Sequence, residues 1–487
     1  MKKLNLAMMT IAVLISTTAR AQEGWQIEVV ATSGTKPELA LDSQGRPHLT
    51  YMTEAMVGAV FYASRDGSDS WEIEEVSEGY FYTPMDIVID GADNIHIAYH
   101  DHDFEDLAYA FKLDGQWNVE TISHQGHDGW DPSLAIAPDG TVHVIAIDPE
   151  QFGTDAGVEW FSRTSGQWRV EGIGSGAIPY EFGTGLAMDA EGRLHAVYHD
   201  GDEQLRATGG GNLLYAVLEN DTWFIEQVDT EGDVGKFASL ALDSSGHPHI
   251  AYMEWTSRPT GRVKYAHHDG ESWEIESIDD LEDIEIGHLG ARRMTEVALD
   301  GQDRVYLAYA DRGVMKFAHQ TAEGGWMIEE ITRPQESGFV LAQFASLAVE
   351  ESGRPHITYY ELPSTPRSST GIIYYAVGPA PPAPTAILDD SEATPAAFEL
   401  GHSFPNPFNA DMAIPFTLPF DGSVEIAVFN LAGQQVRIIE QGAKKSGHHT
   451  AHWDGRDGAG DEAASGVYTI RMIAGEFDQV RKALLVR

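Results

Sequence analysis

Short runs of alternating apolar and polar residues recur along the first three-quarters of the chain, always in the same order. A tryptophan opens a segment such as WEIEEV or WEIESI. Segments like SLALD, PHIAY and VKYA follow, rich in β-branched and aromatic residues and bounded by Gly, Asp or Asn. Period-two alternation between turn formers predicts strands, so each repeat predicts four. The opening residues are Trp25, Trp71, Trp117, Trp168, Trp223, Trp273 and Trp326, at intervals of 46, 46, 51, 55, 50 and 53 residues.

Four-stranded units at a period of about 40–55 residues predict the blades of a β-propeller, here seven of them. The first tryptophan strand, residues 25–30, precedes any complete repeat, and the last repeat, residues 344–377, ends without one. The two ends therefore complete each other, and residues 25–30 are expected as the outer strand of the last blade, which removes a free sheet edge.

Spacing separates two faces. From the Asp position of SLALD (Asp42, Asp90, Ala137, Asp189, Asp243, Asp300, Glu350) to the His position of PHIAY (His48, His96, His143, His195, His249, Tyr306, His356) is six residues in every repeat. The turn before each tryptophan varies only from six to eight. By contrast, 17 to 27 residues separate Trp from the Asp position, and 12 to 21 separate the His position from the end of the third strand. In a meander alternate turns open on one edge, so the length variation collects on one face, where binding loops grow on a rigid frame.

The D-x-x-G before each His, as in Asp243 to Gly246, fits a type I turn capped by its own Asp. The repeated His is expected to pack between strands. The turn before Trp, as in His268-Asp269-Gly270-Glu271-Ser272-Trp273, resembles the Asp-box of sialidase-like propellers, with the Gly moved next to the Asp. In that family the box braces a turn on the fixed face, so the resemblance implies a brace, and no arginine triad with a Tyr/Glu pair accompanies it.

Candidate chemistry lies on the variable face. An acidic residue follows the His position by five: Asp101, Asp148, Asp200, Glu254, Asp311 and Glu361. Strand alternation puts these on the side of the Ile and Tyr of PHIAY, so they either ring the channel mouth or cap the blade interfaces. The oxygen-rich clusters His100-Asp101-His102-Asp103 and Asp200-Gly201-Asp202-Glu203 suit calcium better than zinc, which makes His100, Asp101, Asp103, Asp200 and Asp202 the candidate metal ligands. Strand-end carboxylates accepting loop amides are the simpler expectation. Aromatics in the loops, Trp130, Tyr180 and Trp255 among them, and the paired Arg292 and Arg293, add groups that could meet a sugar ring. In a polysaccharide-acting enzyme, Asp101, Asp200 or Glu254 would be the acid and base. No nucleophile elbow, phosphate loop or metalloprotease helix is present.

Composition narrows the setting. The 487 residues carry a net charge of -45 and no cysteine. About -42 of that charge falls on residues 23–377, which disfavours nucleic acid as a partner and favours neutral or cationic ones. Disulfides, thiolate nucleophiles and zinc-thiolate sites are excluded. Lys2 and Lys3, the apolar run Leu4 to Ile15 and Ala19-Arg20-Ala21 read as a secretory signal cleaved after Ala21, and no later run is long enough to span a membrane.

Residues 378–395, GPAPPAPTAILDDSEATP, read as an extended linker. Beyond it stand FPNPFN (Phe404 to Asn409), the FNLAGQ turn, HHTAHWDGRDGAG (His448 to Gly460), SGVY and RKALLVR (Arg481 to Arg487). In this order they resemble the type IX secretion C-terminal sorting domain, which is close to the flagellar hook-capping Ig-like domain, over nearly all of residues 396–487. The resemblance implies an Ig-like antiparallel β-sandwich and passage across the outer membrane of a Gram-negative bacterium, with type IX machinery as partner. The expectation is an all-β chain made of signal 1–21, seven-bladed propeller 22–377, linker 378–395 and sorting domain 396–487. Its function is to bind a glycan or surface ligand outside the cell, or to cleave a polysaccharide there, or to serve as a structural surface protein.

Overall fold

The computed structural model describes residues 20–22, 24–53, 58–65, 70–79, 84–101, 106–113, 115–122, 129–148, 157–175, 183–201, 210–257, 260–281, 294–311, 313–321, 324–331, 341–362, 371–379, 398–400, 412–430, 434–460, 463–475 and 477–485. The chain divides between Ala383 and Pro384 into two compact bodies, inside the segment expected as a linker.

The first body is all β, built from four-stranded antiparallel meanders of the propeller-blade kind. Repeat 2 comprises Met85–Ile89, Ile95–Asp101, Asp106–Leu113 and Gln116–Thr121. Repeat 3 comprises Trp130–Ile136, Val142–Asp148, Gly157–Thr164 and Gln167–Ser175. Repeat 4 runs through Thr184–Met188, Leu194–Asp200, Asn212–Glu219 and Thr222–Asp229. Repeat 5 runs through Asp233–Leu242, Pro248–Ser257, Thr260–His268 and Trp273–Leu281. Repeat 6 runs through Thr295–Leu299, Val305–Asp311, Val314–Gln320 and Trp326–Glu330.

Repeats 1 and 7 share one strand. Trp25–Leu41 first pairs with Gly371–Val377, setting Gln26 opposite Val377 and Val29 opposite Tyr374. After irregularities near Ala31 and Gly34 it pairs with Pro47–Thr53, setting Glu38 opposite Thr50 and Leu41 opposite Pro47. Its first half completes repeat 7 (Leu341–Val349, Pro355–Leu362, Gly371–Val377), and its second half opens repeat 1 with Pro47–Thr53, Gly58–Ser64 and Glu72–Gly79. The expected separate strand at 25–30 is thus one end of a longer strand. Arg20–Gln22, around the expected processing site at Ala21, adds to its outer edge with Arg20 opposite Ile27. The first strands touch in a circuit, each repeat against the next and repeat 7 against repeat 1.

A recurring set of side chains holds the fixed ends. The Asp42 carboxylate accepts the Gln44 and Arg46 amides at 2.9 and 2.8 Å, and Gly45 takes φ 70° in this turn. Where Gly is missing, Asp93 and Asp303 take φ 61° and 58°, and their carboxylates accept from Ser43 and Ser244 of the neighbouring repeat. His96 lies between Asp90, 3.3 Å from Nε2, and the Tyr109 hydroxyl, 2.6 Å from Nδ1. His48, His195 and His356 repeat the arrangement with Tyr62, Tyr215 and Tyr375. An ionised carboxylate only accepts, so Nε2 carries the proton and Nδ1 accepts from the tyrosine. Tyr306 replaces His in repeat 6 and donates directly to Asp300 at 2.7 Å. The packing role expected of the repeated His is therefore a hydrogen-bond relay joining turn, second strand and third strand.

Each opening tryptophan meets the third-strand aromatic of the preceding repeat edge-on. Trp117 lies 5.2 Å from Tyr62, Trp273 5.3 Å from Tyr215, Trp71 5.3 Å from Tyr375 and Trp25 5.2 Å from Phe317. Five of the indole N–H groups donate to the Glu three residues beyond the preceding tryptophan, as Trp117 does to Glu74 and Trp25 to Glu329, both at 3.1 Å. This aromatic and hydrogen-bonded latch repeats around the circuit.

The second body pairs a three-stranded sheet (Glu399–Leu400, Met412–Leu418, Gly447–Trp453) with a four-stranded one in the order Gln435–Lys444, Gly422–Asn430, Gly466–Ala474, Phe477–Leu485. Both sheets supply its core, with Ile414, Phe416 and Trp453 from the first and Ile426, Ile470 and Leu485 from the second. The expected turn at Asp454-Gly455 is present, with Gly455 at φ 66°. Phe404 to Asn409 and the turn at Ala432-Gly433 lie outside the described residues.

Candidate functional site at the loop-bearing ends of the sheets

At the opposite ends of the sheets the repetition stops. Residues 23–377 contain only five lysines, Lys36, Lys112, Lys236, Lys264 and Lys316. Of these, Lys236, Lys264 and Lys316 sit in neighbouring repeats where the second strands end, each buried or nearly so among carboxylates.

Between repeats 4 and 5 the Asp229 carboxylate accepts from Tyr252 at 2.7 Å and from Lys264, whose Nζ is 3.9 Å from Glu254. Arg262 donates to Glu254 at 3.4 Å and to Asp280 at 2.7 Å. Burial pushes the Asp229 carboxyl up, but the donors Lys264 and Tyr252 outweigh it and hold it below the usual carboxylate range. Between repeats 5 and 6 the pattern recurs. Lys316 donates to Asp279 at 2.8 Å and Asp311 at 2.7 Å, while Tyr309 donates to Asp279 at 2.9 Å. Burial, then the neighbouring carboxylate, pushes both tyrosines far above the ordinary phenol range.

A third group adjoins these. Lys236, 1% exposed, pairs with Asp233 at 2.9 Å, donates to Nε2 of His199 at 3.4 Å and lies 5.0 Å from the Trp255 ring centroid. His199 Nδ1 donates to the Val234 carbonyl at 2.8 Å, and burial together with Lys236 pushes its pKa down to about 3. The imidazole is neutral across the physiological range.

Of the residues expected from sequence, Glu254 and Trp255 join this cluster, and Asp311 joins its neighbour. Glu254 and Asp311 meet lysines of their own repeats, Lys264 and Lys316, which reach across to Asp229 and Asp279 of the preceding repeats. Trp255 is buried against Lys236. His100 is buried edge-on against Trp130 at 5.7 Å, beside half-buried Asp101. Asp200 lies 3.4 Å from the Asn212 amide, Asp148 ends its strand half-buried, and Glu361 is half-buried one residue before its strand ends. Asp103, Tyr180, Asp202, Arg292 and Arg293 lie outside the described residues. At Glu254 and Asp311 a lysine supplies the positive charge expected of calcium. Among the described residues no three His, Asp or Glu side chains are arranged to hold a metal.

Sequence reasoning missed Asp229, Asp233, Lys236, Lys264, Asp279 and Lys316. The available signal was lysine scarcity, together with an Asp six residues after Trp223 and Trp273 but not after the other tryptophans. Gly174 holds that position before repeat 4, and there the buried Tyr198 hydroxyl has no partner among the described residues. Tyr198→Phe is therefore expected to change stability by less than about 0.5 kcal/mol, whereas Tyr252→Phe, which strips a donor from a charged acceptor, costs about 1.5–3 kcal/mol. Urea midpoints of the two variants check this, and equal losses would contradict it.

Residues 409–476 match the family model of the FlgD Ig-like domain. Among solved structures the chain is similar to a lectin of Aleuria aurantia in complex with Fucα1-6GlcNAc (14% identity, 64% of this chain and 99% of that chain, TM-score 0.42). It is also similar to an ulvan lyase of a polysaccharide lyase family (11% identity, 72% and 95%, TM-score 0.46) and to polysaccharide lyase Uly1 (10% identity, 73% and 91%, TM-score 0.44). No curated protein matches the chain.

Proposed function

We propose that residues 25–377 form a seven-bladed β-propeller that binds carbohydrate outside the cell, delivered there by the N-terminal leader and the C-terminal domain. The closed circuit of first strands supports the blade count. The observation that carries the binding reading is the contrast between the two ends. One end carries a repeating latch, and the other carries non-repeating lysines with carboxylates and an aromatic at the bases of the length-variable loops. Adjacent donors, acceptors and aromatic surface are what a sugar ring uses. Tyr252 and Tyr309 have raised pKa values and His199 is held neutral, so these groups suit fixed hydrogen bonding better than proton transfer. A glycan array probed with the intact protein is expected to retain it on a subset of glycans without loss of signal over hours. Signal that decays with release of product would point to an enzyme, and no retention on any glycan would overturn the reading.

The export route rests on the order of motifs in residues 396–487 and on the basic last strand, whose Arg481 and Lys482 pair with Ile470 and Thr469. A fusion carrying residues 396–487 is expected in the medium or on the surface of a host with type IX secretion. The same fusion lacking Lys482 to Arg487 is expected to stay periplasmic. Equal export of both would refute the assignment.

A further inference from the structure

The latch end holds groups the latch does not need. Between repeats 1 and 2, Lys112 donates to Glu74 at 2.6 Å and lies 5.1 Å over the Tyr62 ring. Between repeats 2 and 3, Arg163 donates to both oxygens of Glu120, at 2.9 and 2.7 Å, and lies 5.6 Å over Phe111. Between repeats 7 and 1, Arg65 donates to Glu28 at 2.6 Å and lies 5.4 Å over Trp71. The charged side chains of these three sets are between 19% and 37% exposed.

Between repeats 3 and 4 Arg169 pairs with Glu171 of its own strand and lies 5.6 Å over Trp160, and the Trp223 N–H is buried with no partner among the described residues. Between repeats 4 and 5 and between repeats 5 and 6 the latch closes without a cation. Trp273 and Trp326 reach Glu226 and Glu276 at 3.1 Å, with His268 and Gln320 where the basic residue would stand. Between repeats 7 and 1 the latch lacks its hydrogen bond. Arg65 engages Glu28, and the Trp71 N–H is buried with no partner among the described residues. A local rule broken without structural gain marks a functional position more often than a structural one.

We propose that these three interfaces are equivalent saccharide subsites, each taking one neutral hexopyranose unit. The inference rests on the carbohydrate reading above but puts binding at the other end of the sheets. At each interface a fixed donor stands beside a fixed acceptor, which matches a pair of neighbouring hydroxyls, and the half-buried indoles of Trp71, Trp117 and Trp168 offer a surface for the C–H face of the ring. Each Arg/Lys–Glu pair is neutral overall, and the acidic surroundings repel sugar acids, so neutral sugars are selected. Three sites on one rigid ring give avidity for clustered glycans without further contacts.

The test titrates the intact protein with methyl hexopyranosides (gluco, galacto and manno) by native mass spectrometry, beside an array of neutral oligosaccharides. Three equivalents of the preferred sugar are expected. Glu28→Gln, Glu74→Gln and Glu120→Gln remove the charge, and the latter two keep an acceptor for the neighbouring indole. Each single variant is expected to lower the count by one, and the triple variant to weaken array retention at least tenfold. Retention unchanged in the triple variant, or a sugar count that none of the three singles lowers, overturns this inference and leaves the loop-end reading standing. No binding by the wild type overturns both.

Discussion

Deleting residues 23–31 is expected to destabilise the whole first body rather than fray its start. Trp25, Ile27 and Val30 are 2%, 6% and 3% exposed, and Trp25 packs on Phe317 of repeat 6 while its strand pairs with Gly371–Val377 of repeat 7. Removing large buried side chains costs about 2–5 kcal/mol each, and an open sheet edge adds to that, so the deletion should cost at least ~5 kcal/mol. Urea unfolding followed by tryptophan fluorescence should show one transition at a much lower midpoint. A midpoint equal to that of the intact chain would break the closure argument. Trp25→Ala alone should cost about 3–5 kcal/mol by the same reasoning.

Acid should undo the fold over a window set by the histidine relays. Burial lowers the pKa of His48, His96, His195 and His356, and pushes His143 and His249 down to about 4. Unfolded, each takes its proton near pH 6.5; folded, it resists. Between those values the unfolded chain binds more protons, so stability rises with pH there and falls on acidification. Above pH 6.5 the contribution is complete and flat. Below about 4 it is gone. At about 1.4 kcal/mol per pKa unit, His143 and His249 contribute up to roughly 3 kcal/mol each. The turn aspartates Asp42, Asp90, Asp189 and Asp243, held low by their backbone donors against burial, extend the loss below their ordinary 3.8. Urea midpoints from pH 8 to pH 4 measure the slope. His143→Gln/His249→Gln should flatten it, and a wild-type profile without slope in this window would refute the assignment.

What sequence revealed and what it hid divide along the same line as the two ends. The strands, the pairing of residues 25–30 with the last repeat and the fixed turns were legible because each repeat solves one packing problem with one set of residues: Asp42, His48, Tyr62 and Trp117 in one place are Asp189, His195, Tyr215 and Trp273 in another. Periodicity could not show that Trp117 reaches back to Glu74, 43 residues away, because that bond crosses between repeats. The loop-end cluster was harder for the opposite reason. Lys264 and Asp229 lie on different sheets and occur in this combination only here and, as Lys316 and Asp279, one repeat later. The sequence pattern exposed the carboxylates, which recur, and left the lysines that neutralise them unread. Trp255 read as a loop aromatic because only folding brings Lys236 against its ring.

A ring closed by its own N-terminal strand protects that strand, and amide hydrogen exchange of the intact protein examines it directly. The amides of residues 26–30 should exchange as slowly as those of Gly371–Val377, with protection approaching the stability of the whole body. Exchange of residues 26–30 at the rate of an unstructured segment, with Gly371–Val377 still protected, would contradict it.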